Sequence, residues 1–542
     1  MRLMTLYIFS VLAFTSINVA MAQGDELGSW GLISITPQPP VTYKIGSDDN
    51  SLLTYRFTIK NRTNSSINLF KIQLASHNIP DLGALISDCH AVLPAASSCT
   101  LTYTSRSPIV SNPPKNGISF LDSFSIDNDG GSKTSPPFGV TVYPPGRLGH
   151  FKFVQGGKEI GDLYLTSGSK DSITLQNSGQ QTITDFKLNN IPSALKNDFT
   201  GSCLTDTSIA ENKSCTLDYD IKTSNVNGIY RLSATGDDVD NDSQILGISI
   251  GARMFVVNRV ASSATGSVAN CAINPDGSLG DCSKSVDASG HLYSLVFNST
   301  NTLAFLSIDE GAVRHFKVNP DGTFSGGSQS GNFAYPRFMA IDPTNNYLFV
   351  TISGGSGVRV LSCPIKDGSL GGCQTANQDF NFNSPQGIVF SPGNARIYIA
   401  NKGDGTIDSC AVTNGKFSDC KKESVDHKFS VPEGIAFNSK GTRLYVANNS
   451  SKSIDSCVLN ADGSIGVCQS FNDSLADPFG IAISPGGTRA YISHSDQNSK
   501  GVGFTSCALN SDGTFVKSPC QVLHSFSQPT GIYLAALPNK SS

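Results

Sequence analysis

The sequence predicts an all-β chain: two β-sandwiches followed by a six-bladed β-propeller. Three observations carry this. A short hairpin bracketed by two cysteines recurs five times in the C-terminal half, as in CVLNADGSIGVC (457–468) and CAINPDGSLGDC (271–282). Six Asp-Gly or Asn-Gly turns, at Asp276, Asp321, Asp367, Asn414, Asp462 and Asp512, follow one another at steps of 45, 46, 47, 48 and 50 residues. Residues 31–147 and 148–252 repeat each other's landmarks. A period of about 40–50 residues with several short strands per unit marks a propeller, in which each unit buries its faces only against its neighbours.

The chain opens MRLMTLYIFSVLAFTSINVAMAQG: one positive charge, an apolar run and an Ala20-Met21-Ala22 site. This predicts a secretory signal peptide over 1–22 and a bacterial, secreted or periplasmic product. No cysteine stands at the cut to carry a lipid, and no later apolar run approaches the roughly 20 residues of a membrane span. Loss of Arg2 takes the net charge from −4 to −5. A mildly acidic chain without a Lys/Arg run argues against nucleic acid and anionic membrane as partners.

In the N-terminal third, Phe70-Lys71-Ile72 answers Phe186-Lys187-Leu188, and Asn78-Ile79-Pro80 answers Asn190-Ile191-Pro192. SSCTLTYT (97–104) answers KSCTLDYD (213–220), each after a partner cysteine. Alternating runs such as TYRFTIKN and DSITLQNSG predict antiparallel strands, hence two sandwiches of about 100 residues each, over 31–147 and 148–252. Pro144-Pro145-Gly146 and Gly251-Ala252 are the expected junctions.

From 253 to 537 the repeat unit is clearest at 432–468. GIAF is its first strand, RLYVAN the second, SIDSCVL the third and SIGVC the fourth. The propeller opens on a second strand, MFVVN (254–258), and ends on a first strand, GIYLA (531–535). The last segment is therefore expected to complete the blade that the first begins, which closes the ring and removes its open edge. Six copies of each strand give six blades; a seventh, degenerate blade is the alternative, with little sequence to spare for it.

All 14 cysteines form close sequential pairs: Cys89 with Cys99, Cys203 with Cys215, Cys271 with Cys282, Cys363 with Cys373, Cys410 with Cys420, Cys457 with Cys468 and Cys507 with Cys520. In an exported chain this reads as disulfides, and the short C-x-x-C spacing of a zinc site is absent. Cys457 and Cys468 are equidistant from their turn, as are Cys271 and Cys282, so each pair should face across a hairpin. The second repeat reads FKVNPDGTFSGG, with Phe316 and Gly327 where the pair would be. Both cysteines are missing together, as expected if each is useful only with the other. Such a clip across the weakly held outer hairpin of a blade contributes about 2–4 kcal/mol.

The motif Pro-x-Gly-Ile at 385–388, 432–435 and 478–481, with Tyr-Val/Ile-Ala-Asn at 398–401 and 445–448, resembles the YVTN/NHL class of propellers, lactonase-like ones included. The N-terminal modules resemble bacterial immunoglobulin-like domains. These resemblances bear on fold, because one propeller scaffold hosts many functions.

The residue between Pro and Gly should stand at the mouth of the central channel. Around the ring that position holds Tyr293, Arg337, Gln386, Glu433, Phe479 and Thr530. The ends of the second strands add Asn401, Asn448 and His494. Different side chains converging on one cavity within a repeated framework are what a ligand site looks like; loop residues free to drift would look the same. A metal-dependent lactonase-like site would need several acidic ligands, and only Glu433 is offered, beside Arg337. There is no G-x-S-x-G elbow, and His291, His427 and His524 are expected on loops. Asp238, Asp240 and Asp242 have the alternate spacing of a calcium loop but lack its Gly and distal Glu, so a solvated hairpin tip is the plainer reading and no cofactor is expected. Repeated rigid scaffolding without a catalytic set points to a non-catalytic protein that binds an extracytoplasmic protein or glycan. The alternatives are a hydrolase of a lactone or sugar and a purely structural envelope component.

Overall fold

The computed structural model describes residues 33–539 except 39–41, 47–51, 77–81, 88, 107–117, 129–130, 136–137, 144–147, 223–226, 238, 240–243, 260–264, 355–358, 377–379, 393–395, 424–426, 461–462, 473–474, 496–502, 519, 525 and 527. The signal segment and the calcium candidates Asp238, Asp240 and Asp242 lie outside these. Apart from two short 3-10 turns, every described element is a strand.

The chain divides into two compact units, Met1–Arg147 and Leu148–Ser542. In the first, Leu52–Asn61 pairs antiparallel with Ser98–Arg106 at the centre of a four-stranded sheet, and Ile118–Asn128 joins Ile67–Ser76 and Phe138–Tyr143 in a second sheet. The alternation of TYRFTIKN is realised as Tyr55, Phe57 and Ile59, all buried, with Asn61 ending the run. The second unit begins with the same device. Lys170–Asn177 pairs with Ser214–Asp220 and ends on Asn177. Both terminal asparagines are fully buried. Asn61 Nδ2 donates to the carbonyls of Ser65, Leu93 and Pro94; Asn177 Nδ2 donates to those of Gln181 and Ile209. Each amide ties the strand end to a distant loop, which offsets the cost of burying a polar group. Both quoted runs carry that Asn after their last alternating apolar residue, so the signal was present in the sequence.

Beyond Gly251 six sheets follow. Blades 2 to 6 start on the inner strands Leu292–Phe297, Pro336–Ile341, Pro385–Phe390, Pro432–Phe437 and Pro478–Ile483. Blade 1 is assembled from both ends: Pro529–Ala536 pairs antiparallel with Ala252–Asn258, and Phe255 lies opposite Tyr533. Each inner strand touches the next, and the sixth touches the last segment, which touches the first, so the ring closes.

The Pro-x-Gly glycine is required by this ring. A Cβ on Gly434 would lie 2.5 Å from the Phe479 carbonyl oxygen of the next inner strand, and one on Gly387 would lie 2.3 Å from that of Glu433. The Tyr of the second strand reaches outward instead: Tyr398 Oη donates to the Gly463 carbonyl, Tyr445 Oη to Gly513 and Tyr491 Oη to Gly277. Each bond runs to the outer turn of the following blade, and the last crosses the closure.

Seven disulfides are formed in the sequential pairing. Cys89 is bonded to Cys99 and Cys203 to Cys215, one in each sandwich. In the propeller Cys271 is bonded to Cys282, Cys363 to Cys373, Cys410 to Cys420, Cys457 to Cys468 and Cys507 to Cys520. No cysteine among the described residues is free. Cys271 lies directly opposite Cys282, and Cys457 opposite Cys468. A register shift beside Cys410 absorbs the offset that brings it to Cys420. The clips are packed as well as bonded. Cys99 is buried in the first unit, Cys215 belongs to the core of the second sandwich, and Cys520 to the core shared by blades 5 and 6. Cys420 is partly buried against the core of blades 3 and 4. In blade 2, the Phe316 ring fills the vacant position: a Cβ on Gly327 would meet it at 2.8 Å. Phe316 packs on Phe324, which packs on Phe297 and Phe255, so an aromatic cluster stands where the other blades carry sulfur.

Candidate functional site

Five of the six inner-ring residues meet around Tyr293, and Thr530 bonds to the backbone instead. Tyr293 spans the channel. Its hydroxyl lies 2.8 Å from Gln386 Oε1 and 3.2 Å from Glu433 Oε2. Its ring packs edge-on against Phe479 and Phe338, and the Arg337 guanidinium sits 4.6 Å above its centroid. Thr530 Oγ1 donates to the carbonyls of Val257 and Leu292. Tyr293 is 4 % exposed, Gln386 2 % and Glu433 1 %. The mouth is therefore a plug, sealed by the very side chains expected to line an opening.

The charges of the plug are compensated. Lys402 Nζ lies 2.7 Å from Glu433 Oε1. Burial raises the Glu433 carboxyl above its usual range, and the Lys402 ammonium opposes that shift. Burial, then the Glu433 charge, pushes the Tyr293 hydroxyl well up. Arg337 reaches Asp309 at 2.6 Å and donates through Nε to Ser353 Oγ, while Arg259 stands 3.7 Å from Asp309. Arg259, Asp309, Ser353 and Lys402 lie outside the Pro-x-Gly frame, each one residue past the end of a second strand, so they share one repeat position in four successive blades.

Asn401, Asn448 and His494 hold a different place. Asn401 Oδ1 accepts from the Asn383 backbone N–H, and Asn448 Oδ1 from that of Ser430. His494 Nδ1 lies 3.2 Å from the Ala476 carbonyl and Nε2 2.9 Å from Thr505 Oγ1. These partners assign the proton to Nδ1, with Nε2 accepting from the threonine. In blades 4 to 6 the end of the second strand thus ties down the loop that leads into the inner strand. The three side chains are spent on that task, and burial lowers His494 to about 4. Of the histidines expected on loops, His291 and His427 lie outside any strand and His524 does not. His427 Nε2 is 2.9 Å from the buried Asp455 and packs on Phe429. His524 belongs to the fourth strand of blade 6. Among the described residues no group of three His, Cys, Asp or Glu is placed to hold a metal.

What faces outward at the mouth is a rim. Tyr335, half exposed, stands before the inner strand of blade 3, its ring 6.0 Å from Arg337. Lys402 and Arg259 keep part of their surface in solvent. An aromatic face beside cations is suited to stacking on a sugar or pairing with carboxylates.

Residues 260–476 match the family described as lactonase, 7-bladed β-propeller. The C-terminal domain is a β-propeller that resembles this family over the matched residues. This lactonase-like propeller has six blades among its described residues where that family's description gives seven. No curated protein matches the chain. Solved structures similar to it include the Pseudomonas aeruginosa periplasmic gluconolactonase, at 14 % identity and a TM-score of 0.33, covering 68 % of this chain and 96 % of that one. A Bacteroides ovatus auxiliary nutrient binding protein is 13 % identical, with a TM-score of 0.37, covering 72 % and 96 %. The nidogen/laminin complex contains a chain 14 % identical, with a TM-score of 0.42, covering 53 % and 98 %. None of the three informs the chemistry of the lactonase-like propeller.

Proposed function

We propose that this is an exported, non-catalytic binding protein whose propeller rim recognises a protein or glycan carrying acidic groups. The observation that carries the reading is the plug. The inner-ring carboxylate, Glu433, is 1 % exposed and held by Lys402 and Tyr293, out of reach of a substrate, and Asp309 beside it is paired with Arg337. A general base must come within hydrogen-bond distance of the proton it takes, and Glu433 does not face solvent. The groups that do face out, Tyr335, Lys402 and Arg259, bind rather than transform. Seven disulfides suit an oxidising compartment. The test is an array of glycans and extracytoplasmic proteins probed with oxidised chain. Binding that is saturable, weakened by salt, and reduced at least tenfold by Tyr335→Ser with Lys402→Gln supports the reading; binding indifferent to both changes overturns it.

A second reading, hydrolysis of a lactone or sugar, is favoured by the family match over 260–476. It predicts turnover in a lactone screen that disappears in Glu433→Ala.

A further inference from the structure

Behind the plug the channel reopens. A cavity of about 470 Å³ occupies its other end, bounded by the inner strands of all six blades. Its ceiling is Phe338, which packs edge-on against Tyr293. Its walls are Ile341, Phe390, Phe437, Ile483 and Tyr533, all partly exposed into the space. Between these side chains the lining includes inner-strand backbone and Ser294, Ser391 and Asn438, and its one charged residue is Arg231. Arg231, from the sandwich strand Gly228–Asp237, stands at the rim. Its Nε donates to the Pro485 carbonyl at 3.3 Å, which anchors the side chain to blade 6. Among the described residues its two terminal nitrogens have no hydrogen-bond or ion-pair partner. The Tyr533 hydroxyl, on the opposite lining, has none either.

Drug-sized ligands occupy cavities of about 300–1,000 Å³ lined mostly by apolar groups with a few placed polar ones. This cavity meets that description, and its polar group is a planar fork that matches a carboxylate. A neutral apolar ligand would leave the guanidinium unused, and the side chains of Ile341, Phe390, Phe437, Ile483 and Tyr533 offer an alkyl body more contact than a sugar. We propose that the cavity binds an amphipathic carboxylate, with its apolar body in the channel and its carboxylate on Arg231. The sandwich then completes the site by supplying the charge that the propeller lacks. The site is separate from the rim on the other face of the plug and stands whether or not the rim binds anything.

The test is calorimetric titration of the full, oxidised chain with decanoate and with decanol. The expected result is saturable one-to-one binding of decanoate, weakened at least tenfold in Arg231→Gln and retained within a few-fold in Arg231→Lys. Decanol should bind more weakly than decanoate and be indifferent to Arg231. A bulkier wall, Ala482→Phe, or the milder Ala482→Leu where the first fails to fold, should reduce decanoate binding with Arg231 intact. The proposal is overturned if decanoate does not bind saturably, if Arg231→Gln binds it unchanged, or if decanol matches it. The rim variants Tyr335→Ser and Lys402→Gln should leave decanoate binding as it was, so failure of either site can be told from failure of the other.

Discussion

His494 shows how much one buried side chain reports. It occupies the position that Asn401 and Asn448 hold in blades 4 and 5, and it does the same work with a group that titrates. Its folded pKa, about 4, lies below the ordinary 6.5 because protonation would charge a buried ring. The stability it contributes is therefore fully present above pH 6.5 and is lost as pH falls toward 4, by an amount on the order of 3 kcal/mol. His494→Asn should fold and melt less steeply with acid over that window, measured as Tm against pH. An unchanged profile would mean that other groups govern the acid limb. Asp408 has the opposite sign. Burial raises it to about 6, and its Oδ1 has no partner among the described residues. Ionising it in the fold costs stability that reappears only as pH drops through 6. Asp408→Asn should therefore raise stability by about 1–3 kcal/mol at pH 8 and add nothing at pH 4; a gain equal at both would place its cause outside ionisation.

At the scale of the element, the outer hairpin is where sequence and structure agree most closely. The Asp-Gly turn, the equidistant cysteines and the joint absence of both in blade 2 were all legible, because a hairpin's register is local and a two-residue side-chain period fixes which residues face one another. Replacing both Cys457 and Cys468 by Ala should cost about 2–4 kcal/mol in denaturant unfolding while leaving the far-UV spectrum intact. A loss well below that would show the blade held without its clip, as blade 2 is by Phe316, Phe324 and Phe297. The mouth was legible only in part. Spacing put Tyr293, Gln386, Glu433 and Phe479 on one ring, and the structure brings them together. Spacing could not say that a tyrosine is long enough to cross the channel and close it. That outcome depends on the ring's diameter, which no single repeat encodes. Arg231 went unmarked for a similar reason, since its partner lies on blade 6, whereas Asp309 and Lys402 each directly follow a second strand and share a repeat position that the sequence offered.

For the molecule as a whole, the second sandwich and the propeller belong to one compact unit, and the contact between them is built around one carboxylate. Asp162 accepts from the Gly486 N–H at 2.6 Å through Oδ1 and from Thr488 Oγ1 at 2.5 Å through Oδ2. Tyr164 Oη lies 3.2 Å from Tyr491 Oη, and Tyr491 in turn bonds Gly277 in blade 1. The backbones meet so closely that a Cβ on Gly486 would lie 1.7 Å from the Gly161 carbonyl oxygen. The sandwich therefore grips blade 6 beside the place where the ring is closed by Pro529–Ala536. Removing the acceptor strands two partly buried donors, each costing up to about 1–3 kcal/mol. If the grip helps hold the ring shut, Asp162→Ala should lower the melting midpoint of the propeller as well as that of the sandwich, and should expose the closing strand to hydrogen exchange. The carboxylate itself is poorly solvated there, its pKa raised by burial, so Asp162→Asn, which keeps one acceptor without the charge, should lose far less. A variant with Ala in which the sandwich loosens while exchange in Pro529–Ala536 stays at the native rate would show that the ring closes by its own strand pairing, with the sandwich as a passenger.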